Sequence, residues 1–353
     1  MKIVISTFNN SNNNYGALFQ ACGLSAFLRE MGYETYNVSL AERKQKKQSK
    51  IILMKIWLKK LILLPMKKAF RRREKLFREF REKTQNQLHY ATPEQLYADP
   101  PQADVYISGS DQVWNPVAMH RDLFLAYAPQ NSRKIAYAAS MGAENIPEEN
   151  KELFAQYIGQ YAAVSVREDT VADIVAPYTK CQVQQHIDPV FLKNREQWQQ
   201  LEQPYPGLRF SKYIFAYIIE WNEGFNKQLK ALKEQTGLPV VSVNIGNLKK
   251  ICADQVIYDA SPEAFLHLLH NSEMVVATSF HGVAMSVVYN KPFLPLTGSN
   301  MPTRIQSLMR HFDIDITKSI SFTEADFARI NAQIQQDRIC AREYLRAAIE
   351  GGE

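Results

Sequence analysis

Apolar and polar positions alternate along this chain in two series of short runs separated by helical spacings. Lys2–Thr7 is a strand-like run, and Asn9–Gly16 is a polar turn. From Ala17 to Met31 apolar residues recur at helical spacing (Leu18, Cys22, Leu24, Ala26, Phe27, Leu28), with Gly32 placed as the stop. Tyr33–Leu40 alternates like a second strand, which completes a βαβ unit. Its loop is not GxGxxG and gives no evidence for a dinucleotide. Strands are then expected at Ala103–Ser108, Lys134–Ala138, Ala162–Val166 and Val183–Ile187, with a helix from Pro147 to about Tyr161.

A polar, proline-bearing stretch, Glu196–Ser211, marks the best domain boundary. A second series follows: strand Tyr213–Tyr217, helix 224–236, strands Pro239–Val243 and Gln255–Tyr258, helix Pro262–Asn271, and the unit Glu273–Pro295. In that unit the apolar run Met274–Ala277 reads as a buried strand and Val283–Tyr289 as a helix. Strands alternating with helices in both halves predict an α/β protein with two Rossmann-like parallel-sheet domains facing across a cleft, residues 1–200 and 201–321. Residues 322–353 form a long amphipathic helix expected to reach back onto the first domain.

Charge alters this picture in one place. The net charge is +6, but residues 41–83 hold 17 Lys and Arg against 4 Glu; +6 less this local +13 leaves −7 for the rest. A mildly acidic remainder argues against a nucleic-acid partner. The segment, taken as a basic helical insertion over about residues 41–90, contains an apolar run, Ile51–Leu64, that is interrupted by lysines and too short to span a bilayer. It fits either a helix lying at an anionic membrane surface or a solvated charged face over a core helix. Four scattered cysteines, with no CxxC, give no zinc site and no disulfide framework. The start MKIVIST lacks a signal-peptide pattern, and the expected location is cytoplasmic.

Chemistry concentrates at the ends of the predicted strands. Thr278-Ser279-Phe280-His281-Gly282 lies between a buried strand and a helix start, where amides point at a ligand, and His281 is its one group able to exchange a proton near neutral pH. Arg167 stands at another strand end and is either paired with a neighbouring acid or free to fork a carboxylate or phosphate. Asp111, Gln112 and Asn115 can grip sugar hydroxyls or cap the next segment. Arg304 is a further cation that such a cleft can gather. P-loop, HExxH and GxSxG patterns are missing.

The segments Asn13–Glu34 (NNYGALFQACGLSAFLREMGYE), Ala103–Pro116 (ADVYISGSDQVWNP), Lys134–Gly142 (KIAYAASMG), Ala163–Asp169 (AVSVRED), Ile187–Leu192 (IDPVFL), Ala277–Phe293 (ATSFHGVAMSVVYNKPF) and Arg304-Ile305 together resemble the polysaccharide pyruvyl transferase family over roughly residues 1–308. The resemblance implies a GT-B-like fold and transfer of pyruvate from phosphoenolpyruvate to two hydroxyls of one sugar. The product is a cyclic ketal on a bacterial surface polysaccharide or its lipid-linked precursor, made at the inner face of the cytoplasmic membrane. It implies His281 as acid/base; Arg167, Arg304, Ser279 and Gly282 as donor ligands; and Asn14, Tyr15, Gly16, Asp111 and Gln112 on the acceptor side. Phosphoenolpyruvate is then a substrate, and neither cofactor nor metal is expected. Similar members carry a Gly-Asp pair where this chain has Gly16-Ala17, which leaves the acceptor open. The alternatives are a GT-B glycosyltransferase using a nucleotide sugar and a non-enzymatic scaffold of a membrane assembly complex.

Overall fold

The computed structural model of the protein describes residues 1–11, 13–41, 64–246, 251–297, 301–318 and 321–351. In chain order the first half contains β1 (Lys2–Ser6), α1 (Tyr15–Glu30), β2 (Glu34–Leu40), α2 (Lys67–Thr84), β3 (Gln87–Tyr90), α3 (Pro93–Ala98), β4 (Val105–Ser108) and β5 (Arg133–Ala136). It continues with α4 (Lys151–Ile158), β6 (Val164–Val166), α5 (Asp169–Val175), β7 (Val183–Gln185) and α6 (Arg195–Gln199). The second half contains β8 (Ile214–Tyr217), α7 (Glu223–Thr236), β9 (Val240–Val243), β10 (Gln255–Ile257), α8 (Pro262–His270), β11 (Met274–Ala277), α9 (Phe280–Val288), β12 (Phe293–Pro295), α10 (Thr303–His311) and α11 (Glu324–Glu350).

Two five-stranded sheets result, β3-β2-β1-β4-β5 and β10-β9-β8-β11-β12, and every pairing in them is parallel. The parallel pair β6-β7 is attached beside β5 by single bridges, Ile135 to Ala163 and Ala139 to Val166. Central strands such as β4 and β8 are buried on both faces by crossover helices, so they read as continuous apolar runs (VYIS, IFAY) instead of alternating. Both sheets reverse direction of construction at one point, between β1 and β4 and between β8 and β11. At that point the flanking loops diverge and leave a crevice at the carboxyl ends.

The expected basic helical insertion over about residues 41–90 is helical from Lys67 to Thr84 and is corrected only at its end. Residues 42–63, including most of the Ile51–Leu64 run, lie outside the described residues. Beyond them, α2 is followed by an edge strand, β3, that belongs to the first sheet. Its sequence QLHY is too polar to announce a strand, and pairing with β2 supplies what the side chains lack. The helix α2 buries Phe77 and Phe80 and leaves most of its charges exposed. Its one buried guanidinium toward the second unit, Arg73, donates to the carbonyls of Asn244 and Tyr258 at 2.9 and 3.1 Å. Among the described residues no helix is long and apolar enough to cross a membrane.

The two units are joined by a continuous core. Tyr15 at the start of α1 stacks on Phe265 of α8 with ring centroids 4.3 Å apart, and its hydroxyl donates to the Ala260 carbonyl at 2.8 Å. Arg310 of α10 forks the Asp169 carboxylate at the start of α5 with two contacts of 2.8 Å. The helix α11 lies against the first unit, where Tyr344 donates to the Ala136 carbonyl and Arg338 to that of Leu192, both at 2.7 Å.

Candidate active site

The loops that leave β1, β4, β8 and β11, together with the start of α10, enclose a cleft of about 390 Å³. From the first unit come Phe8, Asn14, Gly16, Asp111 and Gln112; from the second come Tyr217, Glu220, Thr278, Ser279, His281 and Arg304. All of these but Arg304, which stands in the first turn of α10, are delivered by strand ends at a reversal of strand order.

His281 occupies the first turn of α9. Ser279 caps this helix, its hydroxyl accepting from the Gly282 amide at 3.0 Å, so Ser279 and the Gly282 N–H satisfy one another. Ser279 still borders the cleft. Gly282 does not: a side chain there would meet the Ala277 side chain at 2.7 Å, and the expectation that it binds donor is corrected to a packing role. Gly16, near the start of α1, approaches the ring of His281 so closely that a Cβ would overlap its Nδ1, Cγ and Cβ atoms. The absence of a side chain at Gly16 thus admits the imidazole between the units.

The other edge of the ring meets a buried charge cluster. His281 Nε2 is 3.5 Å from Asp188 Oδ2, and that oxygen accepts from Arg167 Nη1 at 2.6 Å. Arg167 Nε donates to Glu168 at 2.9 Å, and the guanidinium lies over the Phe280 ring at 4.2 Å. Burial by itself would raise the Asp188 carboxyl, but the charges of His281 and Arg167 outweigh it and hold the group well below the usual carboxylate range. Burial also opposes charge on Arg167, and Glu168 and Asp188 override it, so the guanidinium is held charged more firmly than usual. Arg167 does not line the main cleft; beneath Phe280 its Nε and Nη1 are committed to Glu168 and Asp188, while its buried Nη2 has no hydrogen-bond partner among the described residues. It lies instead in a smaller adjoining pocket that it shares with Phe280, Asp188 and Arg304.

Arg304 is different. With the Gln112 amide oriented so that its oxygen faces Arg304, as the hydrogen-bonding capacity of both groups requires, that oxygen accepts from the two terminal nitrogens at 2.9 and 3.0 Å, which joins the units by a neutral partner. Burial, then the nearby Arg167 charge, lowers its pKa, the sign of a desolvated cation short of counter-charge. Gln112 accordingly holds Arg304 in place. Asn14 caps α1, accepting from the Ala17 amide at 3.1 Å, and borders the cleft. Asp111, at φ +69°, accepts from the Gln112 amide at 2.9 Å and also borders it. Tyr15 does not: it is fully buried among aromatic rings, and its expected acceptor contact is corrected to an interdomain one. Phe8, Tyr217 and Glu220 were not expected in the site. Tyr217 ends β8, and the strand-end rule that singled out His281 would have found it. Among the described residues no cluster of His, Cys, Asp and Glu is placed to hold a metal ion.

Two Rossmann-like units enclosing a cleft at both reversals of strand order define the GT-B class of fold, and solved structures agree. The chain is similar to a putative UDP-N-acetylglucosamine 2-epimerase from Listeria monocytogenes (12% identity, TM-score 0.53, covering 100% of this chain and 97% of that one). It is also similar to the UDP-GlcNAc 2-epimerase from Neisseria meningitidis (14% identity, TM-score 0.50, covering 98% and 99%). Such low identity shows the fold alone. No curated protein matches in sequence. The family model of polysaccharide pyruvyl transferase matches residues 14–300, and the chain belongs to that family.

Proposed function

We propose that the protein transfers a pyruvyl group from phosphoenolpyruvate to two hydroxyls of a sugar in a bacterial surface polysaccharide or its lipid-linked precursor, forming a cyclic ketal. One observation carries this reading. Arg304, a partly buried guanidinium met by a neutral amide, borders the same cleft as His281. An anionic donor supplies the charge that Arg304 lacks, and the imidazole stands beside it.

The chemistry requires one proton on the methylene carbon of the enol. His281 delivers it, and C2 becomes an oxocarbenium centre. A sugar hydroxyl attacks C2, and its proton returns to the imidazole. The C2–O bond to phosphate then breaks, phosphate departs with the second hydroxyl's proton, and that hydroxyl closes the ring. The balance is one phosphoenolpyruvate and one diol to one ketal and one hydrogen phosphate. Arg304 and Ser279 hold the donor, while Asn14, Asp111 and the backbone at Gly16 face the acceptor. The exposed Lys67, Lys68 and Arg71 on the first turn of α2 support docking at an anionic membrane surface, where a lipid-linked acceptor resides.

A thermal-shift titration with phosphoenolpyruvate, UDP and inorganic phosphate side by side tests the donor. Phosphoenolpyruvate at about a hundred times its dissociation constant stabilises the folded state by about 2.7 kcal/mol. Arg304→Gln removes a charged hydrogen-bond donor and weakens binding by about 1.5–3 kcal/mol. His281→Gln keeps the stabilisation and loses turnover by about 10²–10⁴-fold. Stabilisation by UDP with none by phosphoenolpyruvate overturns the reading in favour of a nucleotide-sugar glycosyltransferase.

A further inference from the structure

We infer that Asp188, held by Arg167, is the positioning residue that fixes the tautomer of His281, and that this pair is assembled only when the two Rossmann units are docked. The inference deepens the proposed function, since it rests on His281 as the proton carrier.

The sequence separates the partners widely. Asp188 follows β7 in the first unit, whereas His281 opens α9 in the second. Both are buried, and the Asp188 side chain is wholly inaccessible. Its two oxygens divide their work. Oδ1 accepts from the Val190 amide at 3.1 Å, which fastens the carboxylate to its own loop. Oδ2 accepts from Arg167 at 2.6 Å and faces His281 Nε2 at 3.5 Å.

Ser110 Oγ also lies 3.3 Å from Oδ2, but its single hydrogen has a shorter acceptor, the Ala138 carbonyl at 2.6 Å. The remaining lone pair of Oδ2 is thus left to the imidazole. Nε2 is buried and has no hydrogen-bond partner among the described residues, so the carboxylate beside it is the polar group that a small ring rotation brings into line.

A carboxylate facing Nε2 selects the tautomer with hydrogen on Nε2. Nδ1 is then the exchanging nitrogen. It lies on the ring edge toward Gly16, which borders the cleft. Arg167 keeps Asp188 charged and in place: Nε is tied to Glu168 and Nη1 to Asp188, a two-pronged hold that an ammonium cannot reproduce. During turnover the fixed negative charge behind the ring stabilises the imidazolium, the form that donates the first proton from Nδ1 and that is restored when the hydroxyl proton is taken up.

The test is long-range ¹H–¹⁵N correlation spectroscopy on the full chain labelled with [¹⁵N]histidine. The His281 signals are identified by their loss in His281→Gln. In its neutral form the wild-type ring is expected to show a single tautomer, with Nε2 of pyrrole type and Nδ1 of pyridine type. In Asp188→Asn the new amide competes as a donor toward Nε2, and the Nδ1–H form gains population. Wild-type signals averaged over both tautomers, or an Asp188→Asn spectrum identical to wild type, would overturn the assignment.

If Asp188→Asn does not fold, Arg167→Lys serves, because Lys cannot hold Glu168 and Asp188 together and the tautomer lock should loosen. Weakened phosphoenolpyruvate binding in Arg167→Lys with the tautomer unchanged would instead make Arg167 a donor ligand and refute the positioning role. The two readings fail separately. A locked tautomer without stabilisation by phosphoenolpyruvate sinks the donor and leaves the pair; stabilisation with an unlocked ring does the reverse.

Discussion

Replacing Gly16 by alanine probes the closest approach between the two units. Gly16 lies in the first turn of α1 with no left-handed backbone requirement, so helix propensity alone favours alanine by about 0.5–1 kcal/mol. The added Cβ, however, falls on Nδ1, Cγ and Cβ of His281, three atoms at the fixed root of a side chain that Asp188 and the wall of the cleft confine. Overpacking of this kind costs about 1–3 kcal/mol. With the helix gain subtracted, the expected result is a net loss of stability of about 1 kcal/mol and an imidazole moved off its contact with Asp188. A displacement of about 1 Å at a reacting group costs on the order of 10²-fold in turnover. A double-mutant cycle with His281→Ala isolates the clash, read from four urea transitions. With the ring removed, Gly16→Ala should become neutral or stabilising, giving a coupling of about 1–3 kcal/mol. A coupling near zero would show that the units do not approach as closely as described, and the account of the site would fail with it.

Two further outcomes follow from the packing. The His186 ring lies between Tyr344 and Tyr137, with centroids 4.5 and 5.9 Å away, and burial lowers its pKa from 6.5 to about 4. Between those values the unfolded chain binds more protons than the folded one, so stability should rise with pH across that window and fall by about 3 kcal/mol on acidification through it; His186→Phe should flatten the slope, and an unchanged slope would exclude His186 as its source. Tyr15→Phe should cost about 1–3 kcal/mol by orphaning the buried Ala260 carbonyl while leaving phosphoenolpyruvate binding unchanged; weaker binding at unchanged stability would return Tyr15 to the site.

Particular residues show what a sequence can and cannot disclose. The run Met274–Ala277, followed by a capping Ser279 and an apolar helix, announced β11 and α9 because local periodicity and capping are written in neighbouring residues. The edge strand β3 was missed because its pairing with β2, not its side chains, makes it a strand. Arg167 was recognised as either paired or free; the choice belongs to Asp188, which reaches it from the next strand of the small sheet. Tyr15 and Gly282 fall within motifs that also carry site residues, and sequence proximity could not separate a group facing the cleft from one facing the core.

Sequence by itself determined most of the strands and helices, the two-unit α/β plan and the family, since these depend on hydrophobic period, turn chemistry and contiguous motifs. Tertiary structure alone decided which of the marked residues share a cleft, that Gly16 makes room for His281, and that Arg304 and Arg167, one opening a helix and one at a strand end, meet a neutral amide and a pair of carboxylates respectively. The reason is physical. Charge state, desolvation and ring orientation are set by neighbours within a few ångströms, and in this chain those neighbours come from opposite sides of the interface between the units.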